Sequence, residues 1–198
     1  MNLIVKYNLQ KIKQLVIDKG YSWFEGGDYN LNIVGIRTPH QNQITNQFDD
    51  LITISYQIGG IDQYHEYPIT TEPGIYYSQN LLNQSGVAIL KPGQYKGTWQ
   101  IGLHQGKYEA LVQRKPVAVY RDRDKDKEYD LNPETIDEGL FGINIHRSNP
   151  IGESEVVGKW SAGCQVFKRS EDFNVFINIC KKSSKIWGNK FTYTLVNG

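Results

Sequence analysis

Residues 51–70 read Leu-Ile-Thr-Ile-Ser-Tyr-Gln-Ile-Gly-Gly-Ile-Asp-Gln-Tyr-His-Glu-Tyr-Pro-Ile-Thr, and this stretch indicates the fold class most directly. It consists of two runs rich in Ile, Thr and Tyr, which favour extended backbone, on either side of Gly59-Gly60. Paired glycines readily adopt the positive φ values that a tight hairpin turn requires. The sequence therefore predicts two antiparallel strands, Leu51–Ile58 and Tyr64–Thr70, joined at Gly59-Gly60.

Similar runs recur on both sides of this hairpin and are separated by turn residues. Glu72–Gly74 and Lys91–Gly93 each contain a Pro-Gly pair and are typical turns. We therefore predict a mainly β protein of the α+β class. Its further strands are expected at Asn30–Ile36, Gly86–Leu90, Tyr108–Gln113, Val117–Tyr120, Phe141–His146 and Phe191–Val196.

Two segments have helical rather than extended periodicity. Asn8 is a suitable N-cap and Gly20 a suitable stop for an amphipathic helix over residues 8–19. Its apolar stripe is expected to dock on the rest of the protein, with a membrane-surface helix as the alternative. Near the C-terminus, Ser170 precedes acidic residues and an apolar pattern, which predicts a second helix. The apolar stripe of that helix contains Phe173, Phe176, Ile177 and Cys180.

The composition excludes several classes of protein. The chain has 198 residues, 39% hydrophobic and 22% charged, so it can bury a core and has no excess of charge. Its formal net charge of +1 is too small for general nucleic-acid binding. No apolar run approaches the roughly 18 residues that span a bilayer. The start, Met1–Lys6, is soon interrupted by polar residues, so no signal peptide is expected and the chain is predicted to be cytoplasmic at synthesis.

The chain contains two cysteines, Cys164 and Cys180. Two cysteines exclude a disulfide-rich scaffold and a four-cysteine zinc site. Cys180 lies on the apolar stripe of the predicted C-terminal helix, so it is expected to pack as a small hydrophobic residue. For Cys164, a structural and a reactive role both remain open at this point.

An acidic alternation, Asp122-Arg123-Asp124-Lys125-Asp126, resembles a calcium-binding loop because carboxylates at alternate positions converge on a hard cation. The sixth position is Lys127 rather than glycine and the twelfth is Pro133 rather than glutamate, so the EF-hand pattern fails. No metal site or cofactor is assigned. A solvated charged turn is the alternative, and whether Asp122, Asp124 and Asp126 bind calcium stays open.

The segments most informative about chemistry are 142–147, Gly-Ile-Asn-Ile-His-Arg, and 159–167, Lys-Trp-Ser-Ala-Gly-Cys-Gln-Val-Phe. His146 ends an apolar run, and Cys164 follows it by 18 residues after a polar loop. A cysteine needs a nearby imidazole to become a nucleophile at neutral pH. Ala162 and Gly163 allow a substrate to approach the backbone, whose amides near Gly163 and Cys164 are candidates to stabilise an oxyanion.

This arrangement resembles the signature of the L,D-transpeptidase catalytic domain of bacterial cell-wall enzymes. That family has a histidine, a gap of mid-teens length, Ser or Thr, usually His, and then Gly-Cys. Residues Ile69–Tyr76 are similar to a Thr-Pro-containing stretch in an early hairpin of the family. The resemblance spans roughly Asp28 to Val196 and is specific from Gly142 to Phe167.

The resemblance implies an L,D-transpeptidase-like β-sandwich with a C-terminal helix, preceded by the N-terminal amphipathic helix. The expected organisation is an N-terminal helical element, residues 1–27, followed by the catalytic domain, residues 28–198. Carried over by position, Cys164 matches the nucleophile and His146 its base. Ser161 and Gly163 match the residues that shape the cysteine turn.

The activity implied by the resemblance is attack on the carbonyl next to a D-centre in a peptidoglycan stem peptide. An acyl-enzyme on Cys164 would then pass to an amine or to water, so transpeptidation and hydrolysis by a carboxypeptidase or endopeptidase both remain open. No cofactor is implied. We expect Cys164 and His146 to approach hydrogen-bonding distance across one cleft, and the thiol pKa to be depressed.

Two departures from the family pattern concern substrate recognition. Ala162 stands where the family usually has His, and Val166 stands where Arg or Asn is common. Arg147 is our first candidate for the substrate carboxylate, since its planar guanidinium binds carboxylates through two hydrogen bonds. Trp160 and Asn144 complete the expected substrate-binding set.

The same departures favour an alternative, a non-catalytic binding or structural module of a phage or secretion assembly that retains the fold. An enzyme of this kind without a signal peptide is expected to reach the cell wall after lysis or by non-classical export, and a phage or secretion-system delivery partner is the candidate for that route. The expected substrate partner is the peptidoglycan stem peptide.

Overall fold

The computed structural model describes residues 7–198. Met1–Lys6 lie outside the described residues. The start of the predicted element 1–27, and the residues on which the signal-peptide prediction rests, therefore fall outside them as well. The protein is mainly β, which confirms the predicted class. The helices are α1 (Leu9–Asp18), α2 (Ile75–Gln79) and α3 (Ser170–Trp187), with a 3-10 turn at Pro133–Thr135. The strands are β1 (Asn32–Arg37), β2 (Asp50–Ile58), β3 (Ile61–Thr70), β4 (Val87–Leu90), β5 (Gly93–His104), β6 (Tyr108–Gln113), β7 (Val117–Asp122), β8 (Asp137–Gly139), β9 (Ile145–Arg147), β10 (Gln165–Phe167) and β11 (Phe191–Asn197).

Eight strands close into a barrel in the order β1-β11-β5-β6-β9-β10-β3-β2, and β4-β7-β8 form a separate small sheet. We expected a β-sandwich, but these eight strands have no free sheet edge. The reason is that β1 pairs with β11 in parallel on one side and with β2 antiparallel on the other. Closure of this kind satisfies the edge hydrogen bonds that an open sheet leaves exposed.

The hairpin predicted at Gly59-Gly60 is present. Its register pairs Ile58 with Ile61, and both glycines have positive φ, 57° and 78°. The strands match the predicted β2 and β3, and β3 begins three residues earlier than expected.

Helix α3 covers the barrel core with its apolar stripe. Phe173 and Phe176 contact the ring of Phe167 on β10, with centroids 5.5 and 5.0 Å apart. Cys180 is fully buried in the same cluster and is a free thiol, so its predicted packing role is confirmed. Burial of aromatic rings of this size is a dominant contribution to core stability.

Helix α1 docks on the outside of the barrel, as its stripe predicted. The Asn8 side chain caps it by accepting a hydrogen bond from the Lys11 amide at 2.9 Å. Ile12 and Val16 are buried against Val34. Within residues 7–198, none of the helices combines the length and the apolar character needed to cross a bilayer.

The site depends on two short neighbouring strands. Of the predicted strand Phe141–His146, only the end is extended, in β9. Strand β9 joins β6 through one register pair, Leu111 with Ile145, and joins β10 in parallel, with Val166 opposite His146. These pairings bring the histidine and cysteine segments side by side.

Candidate active site

The turn that carries Cys164 is held by Ser161 and Gly163. The Ser161 hydroxyl donates to the Cys164 carbonyl oxygen at 2.8 Å and accepts from the Gly163 amide at 3.1 Å. Gly163 has a φ of 132°, and a Cβ there would lie 2.2 Å from the Ala88 carbonyl oxygen on β4. Glycine is therefore required at this position, because the turn presses against the small sheet.

The Cys164 sulfur lies among backbone groups. The Asn144 amide donates to Sγ at 3.4 Å, and Sγ contacts the Gly142 carbonyl oxygen at 3.5 Å. Burial raises the pKa of the Cys164 thiol to about 11, and the Asn144 amide opposes this rise. The expected depression of the thiol pKa is therefore wrong for the unliganded protein, since burial outweighs the one donor to sulfur.

The His146 ring is 4% exposed and is oriented by the backbone of the next residue, Arg147. Nδ1 lies 2.7 Å from the Arg147 carbonyl oxygen, which can only accept, so Nδ1 carries the proton and Nε2 the lone pair. The Tyr108 hydroxyl is 3.2 Å from the same oxygen. Burial, reinforced by His104, lowers the pKa of His146 to about 3, so the ring is a neutral acceptor.

No hydrogen bond joins His146 to Cys164 in the part of the chain that the structure describes. Gln165 pairs with Ile145, so Cys164 lies two positions out of register with His146 on the neighbouring strand. Strand spacing places the two Cα atoms roughly 8 Å apart. The expected approach of Cys164 and His146 to hydrogen-bonding distance across one cleft is therefore not present, and the cleft is lined by His146 but not by Cys164.

A second histidine, His104, lies against the first. The two rings stack with centroids 4.0 Å apart, and Nδ1 of His104 is 3.0 Å from the side-chain nitrogen of Asn144. His104 is 7% exposed, so it is buried beside the site. The single sequence signal for it is its turn position before Tyr108, with which it pairs across the β5–β6 hairpin.

Asn144 organises the site rather than facing an incoming ligand with its side chain. Its Oδ1 accepts from the Gln113 amide at 3.0 Å, and its Nδ2 faces His104. Its backbone amide contacts the cysteine sulfur. Asn144 therefore links the stacked histidines to Cys164.

A cleft of about 510 Å³ opens beside His146. Arg147 and Trp160, both expected to bind substrate, line it, and Trp160 is 40% exposed. Lys107 and Lys159 also line it, no carboxylate does, and the Arg147 guanidinium lies over the Tyr108 ring at 4.3 Å. The cleft is therefore electropositive and suited to an anionic ligand.

A smaller hollow adjoins the cysteine turn at Ala162, and Cys164 itself lines neither space. The hollow, about 270 Å³, is lined by Ala162 and by Phe141 from the other side. Tyr77 borders both spaces. The small side chain of Ala162 therefore leaves room at this point of the cysteine turn.

A buried polar network supports the turn from behind. Asp50 accepts from the Thr71 amide and hydroxyl at 2.7 Å, and Arg37 pairs with Glu72 at 3.2 Å. Burial raises the pKa of Glu72 to about 7, although Arg37 opposes this. Thr71 and Glu72 lie just before Gly74. The Gly74 amide donates to the Ser161 carbonyl oxygen at 2.8 Å, so this segment contacts the cysteine turn directly.

Comparison with protein-family models, with curated proteins and with solved structures returns no match to this chain. The resemblance to the L,D-transpeptidase family therefore rests on the sequence motif alone, from Gly142 to Phe167. Within residues 7–198, the one group of His, Cys, Asp or Glu side chains close enough to share a metal ion is Asp122, Asp124 and Asp130, and none of these three lines the cleft.

Proposed function

We propose that this protein is a cysteine-dependent enzyme of peptidoglycan stem peptides, with an L,D-transpeptidase-like fold and an acyl-enzyme on Cys164. The observation that carries the proposal is the fixed tautomer of His146. Its Nδ1 proton faces the Arg147 carbonyl oxygen, which leaves Nε2 as the nitrogen that can accept a proton, and β9 carries His146 beside the strand that follows Cys164. Activation of a nucleophile requires a base oriented in this way by a third group.

The proposed first step is transfer of the thiol proton from Sγ to Nε2 of His146 as sulfur attacks the substrate carbonyl. The resulting tetrahedral intermediate collapses when the leaving amine takes that proton from Nε2, and the acyl group remains on Sγ. An acceptor amine or water then loses a proton to His146, attacks the thioester carbonyl and releases the thiol. Every proton is returned, so the cycle needs no cofactor.

The neutral state of both groups has a consequence for this chemistry. With the thiol pKa near 11 and the histidine pKa near 3, no thiolate–imidazolium pair forms in the unliganded protein. Proton transfer must therefore accompany attack, and the substrate must bring sulfur and Nε2 together. Unliganded enzymes often have loose catalytic geometry that tightens in the complex.

The oxyanion is assigned to the Cys164 amide. The Gly163 amide, an equal candidate from the sequence, already donates to the Ser161 hydroxyl. In residues 7–198, the Cys164 amide donates to no acceptor. A preorganised backbone donor next to the nucleophile is the usual means of stabilising a tetrahedral oxyanion.

Val166 stands where Arg or Asn is common in the family, and its side chain cannot bind a carboxylate. The basic residues of the electropositive cleft take this role. Arg147 is the primary ligand, and it forms no ion pair within the described chain. Its guanidinium is held over Tyr108, so it is partly preorganised. Trp160 offers an exposed ring at the rim of the cleft.

The alternative is a non-catalytic binding or structural module. Two observations favour it, namely the raised pKa of the Cys164 thiol and the missing contact between the sulfur and His146. It retains the same electropositive cleft for an anionic ligand but predicts no covalent intermediate.

Digestion of purified peptidoglycan, read by mass spectrometry, separates the two functions. Wild type should release or exchange stem-peptide residues, Cys164→Ser should not, and Cys180→Ala should retain activity because it keeps the nucleophile. Mass capture on Cys164 by a carbapenem or a stem-peptide thioester provides a second readout. Equal products from wild type and Cys164→Ser would rule out Cys164 as the nucleophile, whereas no products and no capture from folded wild type would favour the binding module.

A further inference from the structure

The two stacked histidines present a nitrogen atom each to the same cleft. His104 and His146 both line it, and their rings are nearly parallel, with centroids 4.0 Å apart and planes at 20°. Neither Nε2 atom has a hydrogen-bond partner within the described residues, and neither belongs to the buried side-chain atoms that lack one. Both Nε2 atoms are therefore available to a molecule in the cleft.

The position of the proton on His104 follows from its neighbour Asn144. The Gln113 amide can only donate, so the Asn144 side-chain atom that it contacts at 3.0 Å is the oxygen. The Asn144 side-chain nitrogen, which also can only donate, then faces Nδ1 of His104 at 3.0 Å. Burial and Lys107 both lower the pKa of His104, so the ring is neutral. Nδ1 of His104 is thus an acceptor, and the proton lies on Nε2.

His146 has the opposite tautomer. Its Nδ1 proton faces the Arg147 carbonyl oxygen, so its Nε2 holds a lone pair. The cleft therefore contains a donor, the Nε2 of His104, beside an acceptor, the Nε2 of His146. A molecule that binds to both must accept one hydrogen bond and donate another.

We propose that this histidine pair selects water as the molecule that releases the acyl group from Cys164, so that the enzyme hydrolyses its substrate rather than joining it to an amine. The inference rests on the function proposed above. Water has two lone pairs, so one can accept from His104 while the other attacks the thioester carbonyl. A neutral amine has one lone pair, and an amine that accepts from His104 cannot attack.

The charge of the cleft favours the same choice. Lys107, Arg147 and Lys159 line it, and no carboxylate of the described chain does. The α-amino group has a pKa of about 8 and the lysine side chain one of about 10, so acceptor amines are mostly cations at neutral pH. The three basic residues repel such cations, whereas water carries no charge.

The proposed step balances without a further reactant. The water oxygen forms a bond to the thioester carbonyl carbon as its proton passes to Nε2 of His146, and His104 keeps its own proton. When the tetrahedral intermediate collapses, the C–S bond breaks and sulfur takes the proton back from Nε2. The products are the free thiol of Cys164 and a carboxylic acid. As in the first step, bound substrate must bring the carbonyl on Cys164 to the histidines.

The test follows the fate of the acyl-enzyme on the full chain. Cys164 is acylated with a stem-peptide thioester, and glycinamide is offered at pH 8, where roughly half of an α-amino group is unprotonated. Mass spectrometry then compares the acid product with the glycinamide product. Wild type should give mainly the acid. His104→Phe keeps a ring that can stack but loses the donor, so its hydrolysis should slow about tenfold while aminolysis changes less.

Two further measurements support this comparison. His65→Phe is the matched control, because His65 stacks on Tyr56 and Tyr67 and does not line the cleft, and its products should equal those of wild type. NMR of wild type with isotope-labelled histidine needs no variant. It should show the proton on Nε2 of His104 and on Nδ1 of His146.

Failure of this inference differs from failure of the acyl-enzyme. The selection of water is wrong if acylated wild type transfers mainly to glycinamide, if folded His104→Phe hydrolyses as fast as wild type, or if NMR finds Nε2 of His104 unprotonated. In each of these cases Cys164 still acts as the nucleophile. If folded wild type forms no acyl-enzyme with the thioester, the function proposed for Cys164 fails, and the selection of water fails with it.

Discussion

The Nδ1 atom of His146 lies 2.7 Å from the main-chain carbonyl oxygen of Arg147, the residue that follows it. The orientation of the imidazole is therefore set by adjacent backbone rather than by a carboxylate from another element. Tyr108 adds a hydroxyl at 3.2 Å from both atoms and supports the arrangement from β6. The tautomer needed for a base is thus a property of β9 itself.

The first prediction concerns this base. His146→Gln should lower kcat on a stem-peptide substrate by about 10²- to 10⁴-fold, because the proton acceptor is lost while the cleft remains. Tyr108→Phe should cost less than about tenfold, since the Arg147 carbonyl oxygen still orients the ring. Steady-state kinetics and a binding titration of the same peptide separate the two effects. Unchanged kcat in His146→Gln would mean that another group accepts the proton.

A second prediction follows from the burial of the thiol. In a Cys180→Ala background, the rate of iodoacetamide alkylation of Cys164 should rise with pH toward a midpoint near 11, because only the thiolate reacts and burial disfavours it. His146→Gln should leave this midpoint almost unchanged, since the two side chains share no hydrogen bond. A midpoint below that of a free thiol would show an activated thiolate and would mean that burial does not control the thiol pKa.

Two glycines allow a matched test of the cysteine turn. Gly163 and Gly142 both have positive φ, but a Cβ at Gly142 has open space, whereas one at Gly163 meets the Ala88 carbonyl oxygen. Gly163→Ala should therefore destabilise the protein by about 1–3 kcal/mol more than Gly142→Ala and should reduce labelling of Cys164. Urea unfolding measures the difference. Equal losses would show that the turn can move away from β4.

Stability in acid should depend on His146. The unfolded ring titrates near pH 6.5 and the folded ring near 3, so its stabilising contribution is complete above 6.5 and is lost as the pH falls toward 3. We expect a decline of a few kcal/mol over this window, measured by urea unfolding at several pH values. His146→Gln should flatten the curve, and Tyr108→Phe should lower it without changing its slope. If the unfolding free energy of His146→Gln falls with pH as steeply as that of wild type, groups other than His146 cause the decline.

The sequence predicts local structure here much better than it predicts assembly. The Gly59-Gly60 hairpin, α1 and the packing of Cys180 follow from short-range pattern. Strand β5, by contrast, is hidden by Gly97, whose φ of 58° accompanies a register shift opposite β11. Barrel closure depends on parallel pairing of β1 with β11, which are separated by most of the chain and leave no periodic signal.

The site divides in the same way. Ser161, Gly163 and Cys164 form one turn, so their relation is readable from their spacing. His104 comes beside His146 only because the β5–β6 hairpin and β9 share one wall of the barrel. Asp130 joins Asp122 through a change of chain direction after the alternating acidic residues end. Such long-range relations are set by tertiary pairing, which a local pattern does not encode.

Strands β6 and β9 share a single register pair, so their junction is the weakest strand pairing in the barrel. Side chains complete the connection, with Gln113 joined to Asn144 and Tyr108 to Arg147. We therefore expect the wall to part here first under heat or denaturant, before the remaining strands separate. Because His146 lies on β9, its side chain should lose its orientation before the protein unfolds globally. The residues that join β6 to β9 therefore also keep the His146 ring in place.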